Sequence, residues 1–137
     1  MEREEFDWIV SQLDPDDPRI DGTAILTYSN RDADGWRDRL SDAGLGSVRL
    51  QDYYGRPVPG VKIGTFHRSK GLEFERVILP GLDSSFPYGD RNDPDEIIAK
   101  GAALYVAMSR ARDRLLMTYA GSPSMFLEPV AAYCELA

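Results

Sequence analysis

Two short stretches, Thr23-Ala24-Ile25-Leu26-Thr27-Tyr28 and Arg76-Val77-Ile78-Leu79-Pro80, are almost continuously apolar. A strand with one face in water alternates apolar and polar residues, whereas a strand covered on both faces does not. Both runs therefore predict buried strands, which belong mostly to parallel sheets with helices on each side. The remainder of the chain must supply those helices. It does so in alternation with further strands, which makes the fold α/β, with a mainly parallel sheet flanked by helices.

From Glu4 to Leu13 the apolar residues Phe6, Ile9, Val10 and Leu13 fall at helical spacing, and Asp14-Pro15-Asp16-Asp17-Pro18 ends that helix. Residues 1–20 thus read as an N-terminal helix and linker that could pack on something upstream, and 21–137 as the domain proper. A second helix is expected from Ala33 to Ala43, with Trp36 and Leu40 inward and Gly44 as a left-handed C-terminal cap. Gly46 to Leu50 offers a short strand, followed by the irregular connection Gln51 to Gly60. The loop Gly81 to Asp90 leads away from the Arg76 strand. Asp93-Pro94-Asp95-Glu96 then marks a strong helix start, with a capping aspartate, a proline in the first turn and an acid three residues after the cap. Ile97, Gly101, Leu104, Tyr105 and Met108 share one face of this helix. Gly101 costs roughly 1 kcal/mol against alanine inside a helix, so close packing is expected there. Arg114 to Tyr119 reads as the next strand.

The most polar loop follows another strand, in which Val61, Ile63 and Thr65 alternate with Lys62 and Gly64. It lies at that strand's C-terminal end, where open α/β sheets bind ligands. Thr65, His67, Arg68, Lys70, Gly71 and Glu73 together offer a hydroxyl, the only imidazole, two cations, a glycine and a carboxylate. Such a set meets phosphates on one side and hydroxyl or amino groups on the other; a charged surface turn has the same composition.

Charge limits the choice of partner. A net charge of −7 opposes strong, independent nucleic-acid binding. Contact with a polyanion would need local cation clusters, and Arg68, Lys70 and Arg76 form one candidate, Arg110, Arg112 and Arg114 another. Either group is also compatible with a solvated face, which is the ordinary reading for most individual arginines. The single Cys134 cannot make an internal disulfide, and one histidine with one cysteine disfavours structural zinc. The acidic start Met1-Glu2-Arg3-Glu4-Glu5 has no signal-peptide core and no apolar run approaches a bilayer span, which points to the cytoplasm and to no membrane.

Thr65 to Phe74 has the form T-x-H-x-x-K-G-L-E-F, and Tyr105 to Ala111 follows some forty residues later as Y-V-A-x-S-R-A. The two blocks resemble motifs V and VI of UvrD/Rep-type superfamily-one DNA helicases. Tyr28-Ser29-Asn30-Arg31 is similar to the family's motif IVa, commonly Y-R-T-N, and Gly121 to Leu127 is similar to the way such domains often finish. The similarity runs roughly from residue 23 to residue 127. In the large helicases of this type an accessory domain, 2B, is inserted between motifs IVa and V. Only a short connection stands there in this chain, so mechanisms that depend on 2B do not carry over.

The resemblance implies the C-terminal RecA-like (2A) domain of an ATP-dependent DNA helicase or translocase, a P-loop NTPase-like fold. It implies Arg110 as an arginine finger for the γ-phosphate of ATP held by another domain. Gly71 and Glu73 are implied to lie near the nucleotide, with Glu73 accepting from the ribose. Thr65, His67 and Lys70 are implied to face single-stranded DNA. The chain has no G-x-x-x-x-G-K-[ST] loop and no assignable acidic motif for magnesium. ATP and magnesium would then be held mainly by an upstream RecA-like domain carrying Walker A, and this chain alone is expected not to hydrolyse ATP. One departure stands out: the family usually has an E-E-R-R-L-like run before motif VI, whereas Ile98-Ala99-Lys100-Gly101-Ala102-Ala103-Leu104 stands here. The expected consequence is loss of that helix's charged pairs. The rival reading is a non-catalytic module that keeps the helicase shape as a binding or regulatory platform.

Overall fold

The computed structural model describes residues 2–87 and 93–136. In chain order the elements are α1 (Glu2–Ser11), β1 (Thr23–Thr27), α2 (Asn30–Asp42), β2 (Ser47–Arg49), β3 (Val61–Thr65), β4 (Phe74–Leu79), α3 (Pro94–Met108) and β5 (Ala111–Met117). Short 3-10 turns at Pro18–Gly22, Leu50–Asp52 and His67–Ser69, and a longer one at Met125–Tyr133, complete the chain. The strands form one sheet in the order β2-β3-β1-β4-β5, and every pairing is parallel. The loop expected to run to Asp90 is seen as far as Pro87; Tyr88, Gly89 and Asp90 lie outside the described residues.

The two apolar runs become β1 and β4, the central pair. Along β1 successive side chains enter opposite cores, as a period of two requires. Ile25 joins Ile9, Leu13, Trp36, Leu40, Ile63 and Ile78 on the face covered by α1 and α2. Ala24 and Leu26 join Phe66, Val77, Leu79, Phe86, Leu104 and Phe126 on the face covered by α3 and the C-terminal 3-10 segment. Ile9 is fully buried and Leu13 nearly so, which packs the leading helix onto the sheet.

Several boundaries differ from the sequence expectation for local reasons. Ser29 caps α2, its Oγ accepting from the amide of Asp32 at 3.2 Å, so the helix begins at Asn30 and not at the expected Ala33. Gly44 adopts φ +78° as the expected left-handed cap. β2 ends at Arg49 because Leu50 opens a 3-10 turn, and its side chain packs on the backbone of Gly64. β5 begins at Ala111, not Arg114, because Ala111 already pairs with Phe74.

In α3 the buried stripe is Lys100, Gly101, Leu104 and Ala107, while Tyr105 remains 42% exposed. A Cβ on Gly101 would lie 2.8 Å from Cε1 of Phe126, which is the close packing expected at that glycine. The expected loss of charged pairs is corrected at one position: Lys100 Nζ meets Glu96 Oε1 at 2.7 Å.

Two cations are buried against expectation. Lys62, read as the outward residue of an alternating strand, is 1% exposed. Its Nζ donates to the carbonyls of Asp21 at 2.6 Å, Gly60 at 2.8 Å and Val58, and burial lowers its pKa from the ordinary lysine value. Arg76, placed in a surface cluster with Arg68 and Lys70, is buried too. Its Nε donates to Thr23 Oγ1 at 2.9 Å, and Asp17 lies 3.9 Å from its guanidinium.

Candidate functional site

The polar loop after β3 starts at the C-terminal edge of the sheet and ends at the opposite edge. Thr27 of β1 is in register with Thr65, and the amide of Phe66 donates to Thr27 at 2.8 Å, which extends the ladder by one residue. Thr65 is only 7% exposed, and its Oγ1 accepts from the amide of Arg68 at 3.2 Å. Ser69 is fully buried and donates to the Phe66 carbonyl at 2.6 Å. These two hydroxyls build the turn from inside. His67, Arg68 and Lys70 project outward. Thr65, expected among the DNA-facing residues, therefore shapes the turn that presents His67 and Lys70. The His67 ring lies 6.2 Å from that of Tyr28, at the end of β1.

Beside this turn the carboxyl ends of β1 and β4 enclose an open cleft of about 590 Å³, with Tyr28, Ser29, Phe66, Gly81 and Asp83 on its walls. No contiguous stretch points to it directly, because its walls come from segments far apart in the chain. The usable signal was topological: chain order reverses next to β1, and clefts form outside strand ends at such points.

After Ser69 the chain crosses toward the start of β4. Gly71 takes φ +79° there, a conformation other residues adopt only with strain. Glu73 is exposed, and the amide of Phe74 donates to the Arg110 carbonyl at 2.9 Å. Gly71, Glu73 and Arg110 thus come to the edge where β4 and β5 begin, away from His67 at the far end of β3.

Arg110 sits in the turn between α3 and β5. Its Nε donates to the Val106 carbonyl at 3.2 Å, closing the C-terminal end of the helix, and its Nη2 donates to Ser109 Oγ at 2.9 Å. Ser109 Oγ in turn donates to Val106 at 2.6 Å. Among the described residues no carboxylate lies within 4 Å of this guanidinium. Arg112 takes up the neighbouring acids instead, with Asp113 at 3.1 Å and Glu75 at 3.5 Å. Its hydrogen bond to Asp113 raises its pKa and lowers that of Asp113. The second expected cluster is in this way partly neutralised at Arg112.

A guanidinium with no acid beside it, an exposed carboxylate and a left-handed glycine on one edge suit the phosphate end and the sugar hydroxyls of a nucleotide. The set supplies contacts from one side only. Among the described residues no group of three His, Cys, Asp or Glu side chains converges. No helix among the described residues is long and apolar enough to cross a membrane.

Residues 37–122 match the UvrD-like helicase C-terminal domain. A "Probable DNA helicase II homolog" of Rickettsia conorii is 39% identical over 79 residues, covering 53% of this chain and 12% of that protein. An "ATP-dependent DNA helicase PcrA" of Staphylococcus aureus is 36% identical over 74 residues, covering 51% and 10%. The chain thus spans about a tenth of the length of these curated relatives. Among solved structures, the C-terminal domain of a possible DNA helicase from Lactobacillus plantarum superposes with a TM-score of 0.70 at 28% identity, covering 90% of this chain and 71% of that one.

Proposed function

The chain belongs to the family of UvrD-like helicase C-terminal domains, and from that membership we propose that it is the second RecA-like motor domain of an ATP-dependent DNA helicase or translocase. The observation that carries the reading is the Phe74–Arg110 hydrogen bond, which brings Glu73 and an acid-free Arg110 to one edge. When bound, ATP with magnesium supplies the phosphoryl group that is transferred to water, and both are held mainly by an upstream domain with a Walker A loop.

Arg110 donates to the γ-phosphate from across the interdomain cleft, where its fixed charge and planar fork meet the negative charge of the transition state. Glu73 accepts from a ribose hydroxyl, and Gly71 lets the chain pass close to the nucleotide without a side chain. At the other end of the crossing loop, His67 and Lys70 hold a strand of single-stranded DNA, on the turn that Thr65 shapes. Because both ends belong to one short loop, a change of position at the nucleotide edge is carried to the DNA grip, and alternating grip produces stepping. By itself the domain supplies neither phosphate cradle nor metal ligands, and it hydrolyses no ATP.

The test is ATP hydrolysis by the full-length polypeptide with and without single-stranded DNA, in wild type and in Arg110→Ala. DNA-stimulated turnover that falls on the order of 10³-fold in the variant is the expected result. Turnover indifferent to Arg110 removes the finger assignment. Absence of turnover in folded wild-type protein replaces the motor with a binding or regulatory platform.

A further inference from the structure

Three arginines from three separate elements line one small cleft at the C-terminal edge of the sheet: Arg37 of α2, Arg49 at the end of β2 and Arg68 in the turn after β3. Gly64 and Thr65, at the end of β3, also line it. In a chain with a net charge of −7 such a convergence runs against the average field. None of the three has a carboxylate within 4 Å among the described residues. Asp34 also borders the cleft, which leaves it a net two positive charges. The Nε of Arg37 is buried and has no hydrogen-bond partner among the described residues. A guanidinium with no acid beside it is a strong donor to an anionic oxygen.

Size narrows the ligand. The cleft is about 30 Å³, room for one or two water-sized groups and not for a base or a sugar. It fits the oxygens of a single phosphate group. Arg68 directly follows His67, so the cleft adjoins the turn proposed to hold DNA and lies toward the β2 side of the sheet.

We propose that Arg37, Arg49 and Arg68 bind one phosphodiester group of a nucleic-acid strand, extending the contact surface from His67 toward the β2 edge. The inference rests on the reading that the His67 turn faces such a strand. It adds a phosphate subsite in which Arg37 and Arg49 lie outside the helicase-like blocks and Arg68 stands at an unspecified position within the first of them. Arg37 supplies a donor from the helix, while the exposed Arg49 and Arg68 close from the two sides.

The experiment is binding of a fluorescent oligothymidylate to the full-length polypeptide over a range of salt concentrations. One variant carries Arg37→Gln, Arg49→Gln and Arg68→Gln together. A control carries Arg3→Gln, Arg19→Gln and Arg56→Gln, the same loss of three charges at exposed sites elsewhere. A third carries His67→Ala and Lys70→Ala. Thermal melting confirms that each variant folds.

The cleft variant is expected to bind roughly tenfold more weakly, as for loss of one charge-assisted contact. Its plot of log affinity against log salt should be shallower by about 0.7, the value for one phosphate on a single strand. The control should keep the wild-type slope. Equal losses in the cleft variant and the control would reduce the effect to net charge and overturn the proposal. A cleft variant that binds as wild type, beside a His67/Lys70 variant that does not, overturns the cleft and leaves the DNA-facing turn in place. Failure of wild type to bind overturns both. If inorganic phosphate raises the melting temperature of wild type but not of the cleft variant, while both bind oligothymidylate alike, the site takes free anions only and the proposal fails.

Discussion

The amide of Phe74 and the carbonyl of Arg110 are joined by a 2.9 Å hydrogen bond, and the next residue along, Ala111, is in register with Phe74 as the first pair of the β4–β5 ladder. Two blocks some forty residues apart in the chain thereby become adjacent strands. Glu73, immediately before Phe74, is brought to the same edge of the sheet as Arg110 by this pairing, without an ion pair between them. Their chemical roles in the proposed motor differ, and kinetics separates them.

If Glu73 accepts from the ribose equally in ground and transition states, Glu73→Ala raises KM for ATP about tenfold or more and leaves kcat within about twofold. Arg110→Ala lowers kcat instead. Steady-state kinetics of the full-length polypeptide checks the split; a kcat defect in the Glu73 variant would place that carboxylate in the transition state.

Gly64 has no room for a side chain. A Cβ there would lie 2.6 to 2.7 Å from Cδ1, Cβ and Cγ of Leu50. Gly64→Ala should destabilise the domain by about 1–3 kcal/mol, the usual cost of overpacking. Because Leu50 Cβ is itself in the way, adding Leu50→Ala should not restore stability. Urea unfolding of the single and double variants measures this.

Lys62→Met keeps the length of the side chain and removes its ammonium. Three carbonyls, of Asp21, Val58 and Gly60, then lose their shared donor. A loss of about 2–4 kcal/mol is expected, from buried acceptors left unpaired. Relief of the buried charge offsets part of the cost, so a variant as stable as wild type would show that the ammonium contributes nothing net. Denaturant midpoints at constant m-value decide.

Asp17 makes stability depend on acid. Hydrogen bonds from the side chain and amide of Arg19 hold its carboxyl below the usual carboxylate range, with Arg76 adding attraction. A depressed folded pKa gives stability that is present above the unfolded value, about 3.9, and is lost as pH falls through the folded one. The stability difference between wild type and Asp17→Asn should therefore narrow as pH drops below about 4. Unfolding curves between neutral and strongly acid pH test this, and a difference that stays constant would remove Asp17 from the acid response.

Much of the architecture was legible in local pattern. The apolar runs of β1 and β4, the Asp93 cap of α3, the left-handed Gly44 and the crowding at Gly101 each follow from short-range sterics or hydrogen bonding, which a stretch of sequence specifies by itself. Burial of individual polar residues was not legible. Lys62 and Arg76 look like surface cations in any window of sequence, and they are inside because carbonyls and a threonine hydroxyl from other segments accept their protons.

The sequence by itself determined the fold class, the sheet's central strands and the two family motifs, because strand burial and motif spacing are properties of contiguous residues. Only the tertiary structure decided which charged groups share a surface. It buries Thr65 beneath its turn, separates His67 from Glu73 and Arg110, and neutralises Arg112 with Glu75. It also brings Arg37, Arg49 and Arg68 together from three elements. The physical reason is that electrostatic neighbourhoods are set by parallel strand pairing and crossover connections, which join residues at separations that no local pattern encodes.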